Sequence, residues 1–333
     1  MPRLPLPSRR ACLSAIALAP LAALAPRPSC AQGRSVFPDK AITLIVPFGP
    51  GGVADITART VGEVMARSLG QAVVVDNRPS AGSIVASSAV AGAKPDGNTL
   101  LLMSNSNAVS VGLFRKLPYD TLKAFAPIST LAFFDIGLFV PAGSRFNSLQ
   151  DVVAFAKAQP GRLNIGCISV GSTQQLAAKL FETVAGISAL VVPYKATPAV
   201  LTALRAGEVD LAFEIVGPMV PQVQAGVVKA LAVSSGQRNP ALPEVPTVQQ
   251  AGVSGYSVAS WNALAAPAGT PAAVIETLNR AVREALASPA VRDKLARLGA
   301  RVQAGSPAEL QALLASEIPR WGEVIRNAKI EPE

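Results

Sequence analysis

The stretch Ala41-Ile42-Thr43-Leu44-Ile45-Val46-Pro47-Phe48-Gly49-Pro50-Gly51-Gly52-Val53 decides how the chain is read. Residues 41–46 are a short, mostly apolar run with several β-branched side chains, which predicts a buried strand. Pro47 and Pro50, together with Gly49, Gly51 and Gly52, cannot continue either regular structure, so a glycine loop must follow. Val53, Ile56, Val61, Val64 and Met65 then recur at helical spacing and predict a helix over 53–69. Strand, glycine loop and helix in that order make an α/β unit. Such a loop exposes backbone N–H groups at the positive end of a helix dipole, which stabilises an anion by about 0.3–2 kcal/mol. Any α/β protein also needs glycine turns, so the loop alone leaves a binding role and a structural role open.

The same alternation runs outward from this unit. Apolar runs at 73–75, 99–103, 139–140, 163–167, 189–192, 209–213, 228–233 and 258–265 predict strands, separated by helices at 83–91 and near 173–185, 198–206 and 218–225. Ser148 with Asp151 opens a further helix as a capping pair. Alternation of this kind predicts parallel sheets covered on both faces. The C-terminal part changes character. Thr270-Pro271, Ser288-Pro289 and Ser306-Pro307 each place a capping hydroxyl before a proline, and so predict three helices, with Gly299 ending the second. A chain of 333 residues suggests two domains. The economical path leaves the first domain near 136, builds a second over 137–254, and returns near 255, so that 33–136 and 255–333 form one discontinuous domain. Two crossings make a hinge.

Composition excludes more than it suggests. The chain has no histidine, which removes imidazole-based triads, imidazole zinc sites and histidine proton shuttles. The formal net charge of +9 is partly carried by residues 1–31, which hold Arg3, Arg9, Arg10 and Arg27 and no acid. That segment reads as an export signal: a basic start at Arg9-Arg10, an apolar run over 11–25, and the small-residue site Ser29-Cys30-Ala31 before Gln32. Pro20 and the short apolar run argue against a membrane span. Ser8-Arg9-Arg10-Ala11-Cys12-Leu13 resembles a twin-arginine signal, so both export routes stay open. Cys30 lacks the aliphatic residue that usually precedes a lipid-modified cysteine. Cleavage after Ala31 leaves a mature chain of about +5 and only Cys167, so an internal disulfide is excluded. With five percent aromatics and no basic run, nucleic acid is not an expected partner.

A second loop, Gly166-Cys167-Ile168-Ser169-Val170-Gly171-Ser172-Thr173, precedes the helix near 173. One such loop in each domain suits a small acid held between two lobes. Neither loop is a dinucleotide fingerprint or a phosphate loop, and no cofactor or metal is expected. Ser169 is one residue out of step for a nucleophile elbow. Cys167 reads as a small buried strand residue. Asp55, in the first turn of the helix after the first loop, and Glu214, ending an apolar strand, are each either ligand contacts or structural groups. Lys195 beside Ser169 leaves room for a periplasmic enzyme as a rival reading, though neither residue has an obvious activating neighbour. Trp261 reads as core or hinge packing.

Seven segments in order resemble one family. They are Val46-Pro47-Phe48-Gly49-Pro50-Gly51-Gly52 with Asp55, Asn77-Arg78-Pro79, Pro95-Asp96-Gly97-Asn98-Thr99-Leu100-Leu101, Lys116-Leu117-Pro118-Tyr119-Asp120, Val192-Pro193-Tyr194-Lys195, Pro240-Ala241-Leu242-Pro243-Glu244-Val245-Pro246-Thr247 and Ala266-Pro267-Ala268-Gly269-Thr270-Pro271. Together they resemble the Bug-type extracytoplasmic solute receptors, the substrate-binding proteins of tripartite tricarboxylate transporters. The resemblance implies an α/β periplasmic binding protein of type II topology, with two lobes, a ligand cleft and two hinge crossings. It implies a monomeric, non-enzymatic, periplasmic protein that captures a small carboxylate, amino acid or related solute. The partners would be membrane permease subunits or, alternatively, a periplasmic signalling system. Carried over by position, Phe48, Gly51, Gly52, Asp55, Gly82, Ser83 and Asn105 would bind the ligand from the first domain. Ser169, Gly171, Ser172, Thr173 and Glu214 would bind it from the second. The chain departs from the family pattern at Ser80-Ala81-Gly82-Ser83, usually richer in glycine; at Gln174-Gln175, where a histidine is frequent; at Glu214, commonly Asp; and at Asn262, after Trp261, where an aromatic or glycine is usual. Those positions put ligand identity, and not fold, in question.

Overall fold

The computed structural model describes residues 37–327 and 329–332, so the expected export signal, its arginine pair and its cleavage site lie outside the described residues. The first α/β units are β1 (Ile42–Val46), α1 (Val53–Leu69), β2 (Val73–Asn77), α2 (Ile84–Ala91), β3 (Thr99–Ser104) and α3 (Asn105–Leu113). A long strand, β4 (Phe125–Pro141), leads into α4 (Leu149–Ala158), β5 (Leu163–Ile168), α5 (Thr173–Ala185), β6 (Ala189–Tyr194) and α6 (Thr197–Ala206). The chain continues through β7 (Leu211–Ile215), α7 (Val216–Gln224) and β8 (Val228–Val233). It ends with β9 (Ala259–Pro267), α8 (Ala272–Ala287), α9 (Pro289–Ala296), β10 (Ala300–Val302) and α10 (Pro307–Asn327).

The helices follow from spacing and caps. On α1, Val53, Thr57, Ala58, Val61 and Met65 are buried on one face, and Gly70 ends the helix with φ +67, a left-handed turn that glycine adopts without a Cβ clash. Ser148 and Asp151 form the expected capping box on α4. The C-terminal caps fare less uniformly. Ser306 accepts from Glu309 N–H as expected, but Thr270 turns its hydroxyl back to Pro267 O, and Ser288 makes no side-chain cap. Pro271 itself precedes the first turn of α8, and its fixed φ suits that place without a hydroxyl's help.

The expectation of parallel sheets needs correction. β1 is parallel to β2 and β3, and β5 to β6 and β7. The returning strand β9, however, inserts antiparallel between β3 and β4. β4 is antiparallel to β7 and β8 as well, and β10 pairs antiparallel with β4. Buried parallel and buried antiparallel strands carry the same apolar runs, so direction is settled by how the chain returns and not by composition. β4 itself is 17 residues long and begins at Phe125, where the sequence predicts a strand starting only at Phe139 and Val140. Pro127 and two register shifts against β9 interrupt its pattern. Asp135 pairs with Ala259 of β9, whereas the next residue, Ile136, pairs with Ile215 of β7. One strand thus serves two sheets and changes partners between consecutive residues. Large side chains such as Trp261, Trp321, Tyr256, Phe139 and Phe181 fill the interior beneath the helices.

Candidate functional site

Five helices begin at one cavity. Gly52, the residue before α1, and Val53 and Ala54 in its first turn form one wall with Phe48 and Gly49. Ser104, the N-cap of α3, lies in the lining as well. Across the cleft stand Thr173 and Gln174 at the start of α5, Ala196 and Thr197 at the start of α6, and Ile215 just before α7. Ser260 and Asn262 of β9 close the remaining side, and Phe134 of β4 adds an apolar surface. The cavity is narrow, with about 40 Å³ open to the centres of water-sized molecules. Lys195 is the single cationic side chain in its lining, and it is exposed. The positive character of the site therefore comes mainly from backbone N–H groups at helix starts.

The glycine loop is held open by Asp55. Its carboxylate accepts from Gly51 N–H at 3.0 Å, Arg59 Nε at 2.9 Å and Asn77 Nδ2 at 3.0 Å, while Asn77 Nδ2 also donates to Phe48 O at 3.0 Å. Burial pushes the Asp55 carboxyl up, but these hydrogen bonds and the Arg59 charge outweigh it and hold the group below its ordinary value. With its oxygens so engaged, Asp55 lies outside the cavity lining and shapes the loop. On the other side, Ser172 caps α5: its Oγ accepts from Gln175 N–H at 3.1 Å and donates to Ile168 O at 2.6 Å. Gln175 Oε1 accepts from Gly171 N–H at 2.7 Å.

Of the residues expected from the sequence, Phe48, Gly52 and Thr173 line the cavity. Gly51 turns the first loop at φ +80. Gly82, Ser83, Ser169, Gly171 and Ser172 gather where the two halves meet. Gly82 N–H donates to Val170 O at 2.9 Å; a Cβ on Gly82 would lie 2.7 Å from Ser110 Oγ and one on Gly171 2.9 Å from Gly82 Cα, so both positions require the absence of a side chain. Thr173 Oγ1 and Ser260 Oγ are 3.1 Å apart and add a second tie across the cleft. Asn105 is buried beside the cavity lining, with Oδ1 accepting from Trp321 Nε1 at 2.8 Å. Glu214 is wholly buried behind Thr197 and Ile215: its Oε2 accepts from Thr197 Oγ1 at 3.0 Å and Ile215 N–H at 3.2 Å, and Oε1 has no partner. Burial pushes its carboxyl up to about 7, against the smaller pull of Thr197, Ile215 N–H and Gln174. Burial likewise pushes the Cys167 thiol far up, with the Glu214 charge adding to the effect, which suits a packed strand residue and not a nucleophile.

Sequence reasoning missed Ser104, Phe134, Thr197, Ile215, Ser260 and Asn262. The starts of α3, α6 and α7 carry no glycine loop to announce them, and β9 joins the site only after a segment, 216–259, that contributes nothing to the lining.

This construction has relatives. The sequence profile described as "Tripartite tricarboxylate transporter family receptor" (TctC) matches residues 57–330. The chain belongs to this receptor family. It is 37% identical over 318 residues, 95% of this chain and 94% of the relative, to a UPF0065 protein in the tcbD-tcbE intergenic region of Pseudomonas sp. strain P51. Among solved structures it resembles the periplasmic binding protein BugD, with 29% identity, a TM-score of 0.85, and 89% of this chain and 100% of that one covered. It also resembles MatC of Rhodopseudomonas palustris with bound malate, at 33% identity, TM-score 0.83, and 87% and 100% coverage. R. palustris Rpa4515 with adipate gives 34% identity, TM-score 0.85, and 89% and 100% coverage. The fold is therefore that of the two-lobed periplasmic binding proteins, and the family resemblance read from the seven sequence segments holds.

Proposed function

We propose that this TctC-family receptor captures a small carboxylate-bearing solute in the cavity between its lobes and hands it to membrane permease subunits. The observation that carries this reading is the convergence of five helix starts on a cavity with one peripheral cation and no ionised acid in its lining. Backbone N–H groups at helix starts favour a carboxylate, and each charge-assisted bond contributes about 1.5–3 kcal/mol. Malate in MatC and adipate in Rpa4515 support the same class of solute.

In this reading 33–136 and 255–333 move as one lobe and 137–254 as the other, with the partner exchange between Asp135 and Ile136 as one of the two crossings. The solute contacts both walls only when they meet, and that difference in affinity drives closure. Moving a 1:99 population to 99:1 takes about 5.5 kcal/mol, which a few such bonds can supply. Phe48, Gly52 and Thr173 meet the solute; Asp55 and Ser172 shape the two loops; Gly82, Ser83, Ser169 and Gly171 form the seam. The protein works as an exported monomer, cleaved near Ala31, and binds without turnover. Membership of a receptor family favours this binding role over an enzyme using Ser169 and Lys195.

The test is Ser172→Asp, in which the carboxylate can still accept from Gln175 N–H as an N-cap but loses the donation to Ile168 O and adds an anion beside Thr173, with Ser172→Ala as the uncharged control that loses the same hydroxyl. Titration calorimetry with the acids that bind the wild type should show affinity for Ser172→Asp reduced at least about tenfold below that of Ser172→Ala, while both variants melt below wild type through the lost bond to Ile168 O. Unchanged affinity would count against this site.

A further inference from the structure

Among the described residues, the lining contains one buried side-chain acceptor without a partner. On β9, Ser260 and Asn262 face the cavity while Trp261 between them turns into the core, as alternation along a strand requires. Asn262 is 4% exposed. Its Nδ2 donates to Trp261 O at 3.0 Å, which fixes the orientation of the amide, and its Oδ1 is buried without a partner. Ser260, beside it, is engaged with Thr173 Oγ1 across the cleft. Buried acceptors in native proteins are nearly always paired, so an orphan in a ligand cavity marks a place where the ligand donates. A carboxylate cannot do this, since it only accepts.

We infer that Asn262 Oδ1 selects solutes that carry a hydrogen-bond donor, a hydroxyl or an ammonium, in addition to the carboxylate. The inference rests on the carboxylate reading and narrows it: hydroxy- and amino-carboxylates fit, and the same acids without the donor do not fit equally. Two loops of backbone N–H groups recognise the charge, and the β9 amide recognises the substituent. Sites that hydrogen-bond a substrate hydroxyl or N–H discriminate strongly against analogues lacking it, because the buried group is then left unpaired.

Matched acids test this. Affinities are measured by calorimetry for malate, aspartate and succinate, for 2-hydroxyglutarate, glutamate and glutarate, and for lactate, alanine and propionate, with wild type, Asn262→Ala and Asn262→Leu. The leucine variant fills the space without an amide, and melting temperatures verify that both variants fold. In the wild type at least one donor-bearing member should bind about tenfold or more tightly than its unsubstituted analogue, and in both variants that ratio should collapse toward one. A ratio near one in the wild type, with the acids binding, would leave the carboxylate reading standing and overturn the role of Asn262. A large ratio that survives both substitutions would overturn it too. If no acid of any set binds, the carboxylate reading fails and this inference falls with it.

Discussion

Glu214 shows how a residue's chemistry depends on what surrounds it. As the last polar residue of an apolar strand it could have faced the solute, yet it lies wholly buried, hydrogen-bonded to Thr197 and to the Ile215 N–H, and forms no ion pair among the described residues. Its folded pKa of about 7 exceeds the ordinary 4.5, so the native protein holds a proton that the unfolded chain releases earlier. Stability from this group is greatest below about pH 4.5 and declines as pH rises to about 7, on the order of 3 kcal/mol in all. The melting temperature of wild type should therefore fall between pH 5 and 8 relative to Glu214→Gln, which has no charge to bury. Superimposable profiles would refute a neutral carboxyl. The chain has no histidine to obscure this titration. The sequence marked Glu214 as notable, but an acidic letter at a strand end reads the same whether it points into a cleft or behind its wall.

At the scale of elements, the first loop and helix were the most legible part of the molecule. Proline, glycine and helical spacing are contiguous there, and local geometry follows from local residues. Asp55 holds this loop in shape as a wall of the cavity, since it gathers Gly51, Arg59 and Asn77. Asp55→Ala should release the loop, lower stability by about 1–3 kcal/mol through the stranded donors, and weaken solute binding more than the loss of one contact would. Denaturant unfolding and calorimetry on one preparation check both effects, and an unchanged midpoint would show that the loop holds its shape without the carboxylate. The starts of α3, α6 and α7 were less legible. Ser104 caps α3 in an almost wholly buried segment with no amphipathic stripe, and α6 and α7 start without a capping side chain, at Ala196 and Ile215.

For the whole molecule, what matters is the meeting of the two walls. Gly82 N–H donates to Val170 O and Gly171 approaches Gly82, contacts that the proposed closure would make and opening would break. Gly171→Ala places a Cβ against Gly82 in a backbone with φ +76, so closure should be opposed both by strain and by contact. Small-angle scattering should show wild type becoming more compact on adding a bound acid, while Gly171→Ala stays expanded and binds at least about tenfold more weakly; equal compaction would place the seam elsewhere. By itself the sequence determined the α/β alternation, the glycine loops, the absence of imidazole chemistry and the family, because each depends on residues adjacent in the chain or on composition. Only the tertiary structure decided that β9 returns antiparallel between β3 and β4, that five helix starts share one cavity, that Asp55 and Glu214 stand behind its walls, and that Asn262 presents an unmet acceptor. Those facts depend on which distant segments pack together, and apolar runs that bury equally well in either direction carry no record of that choice.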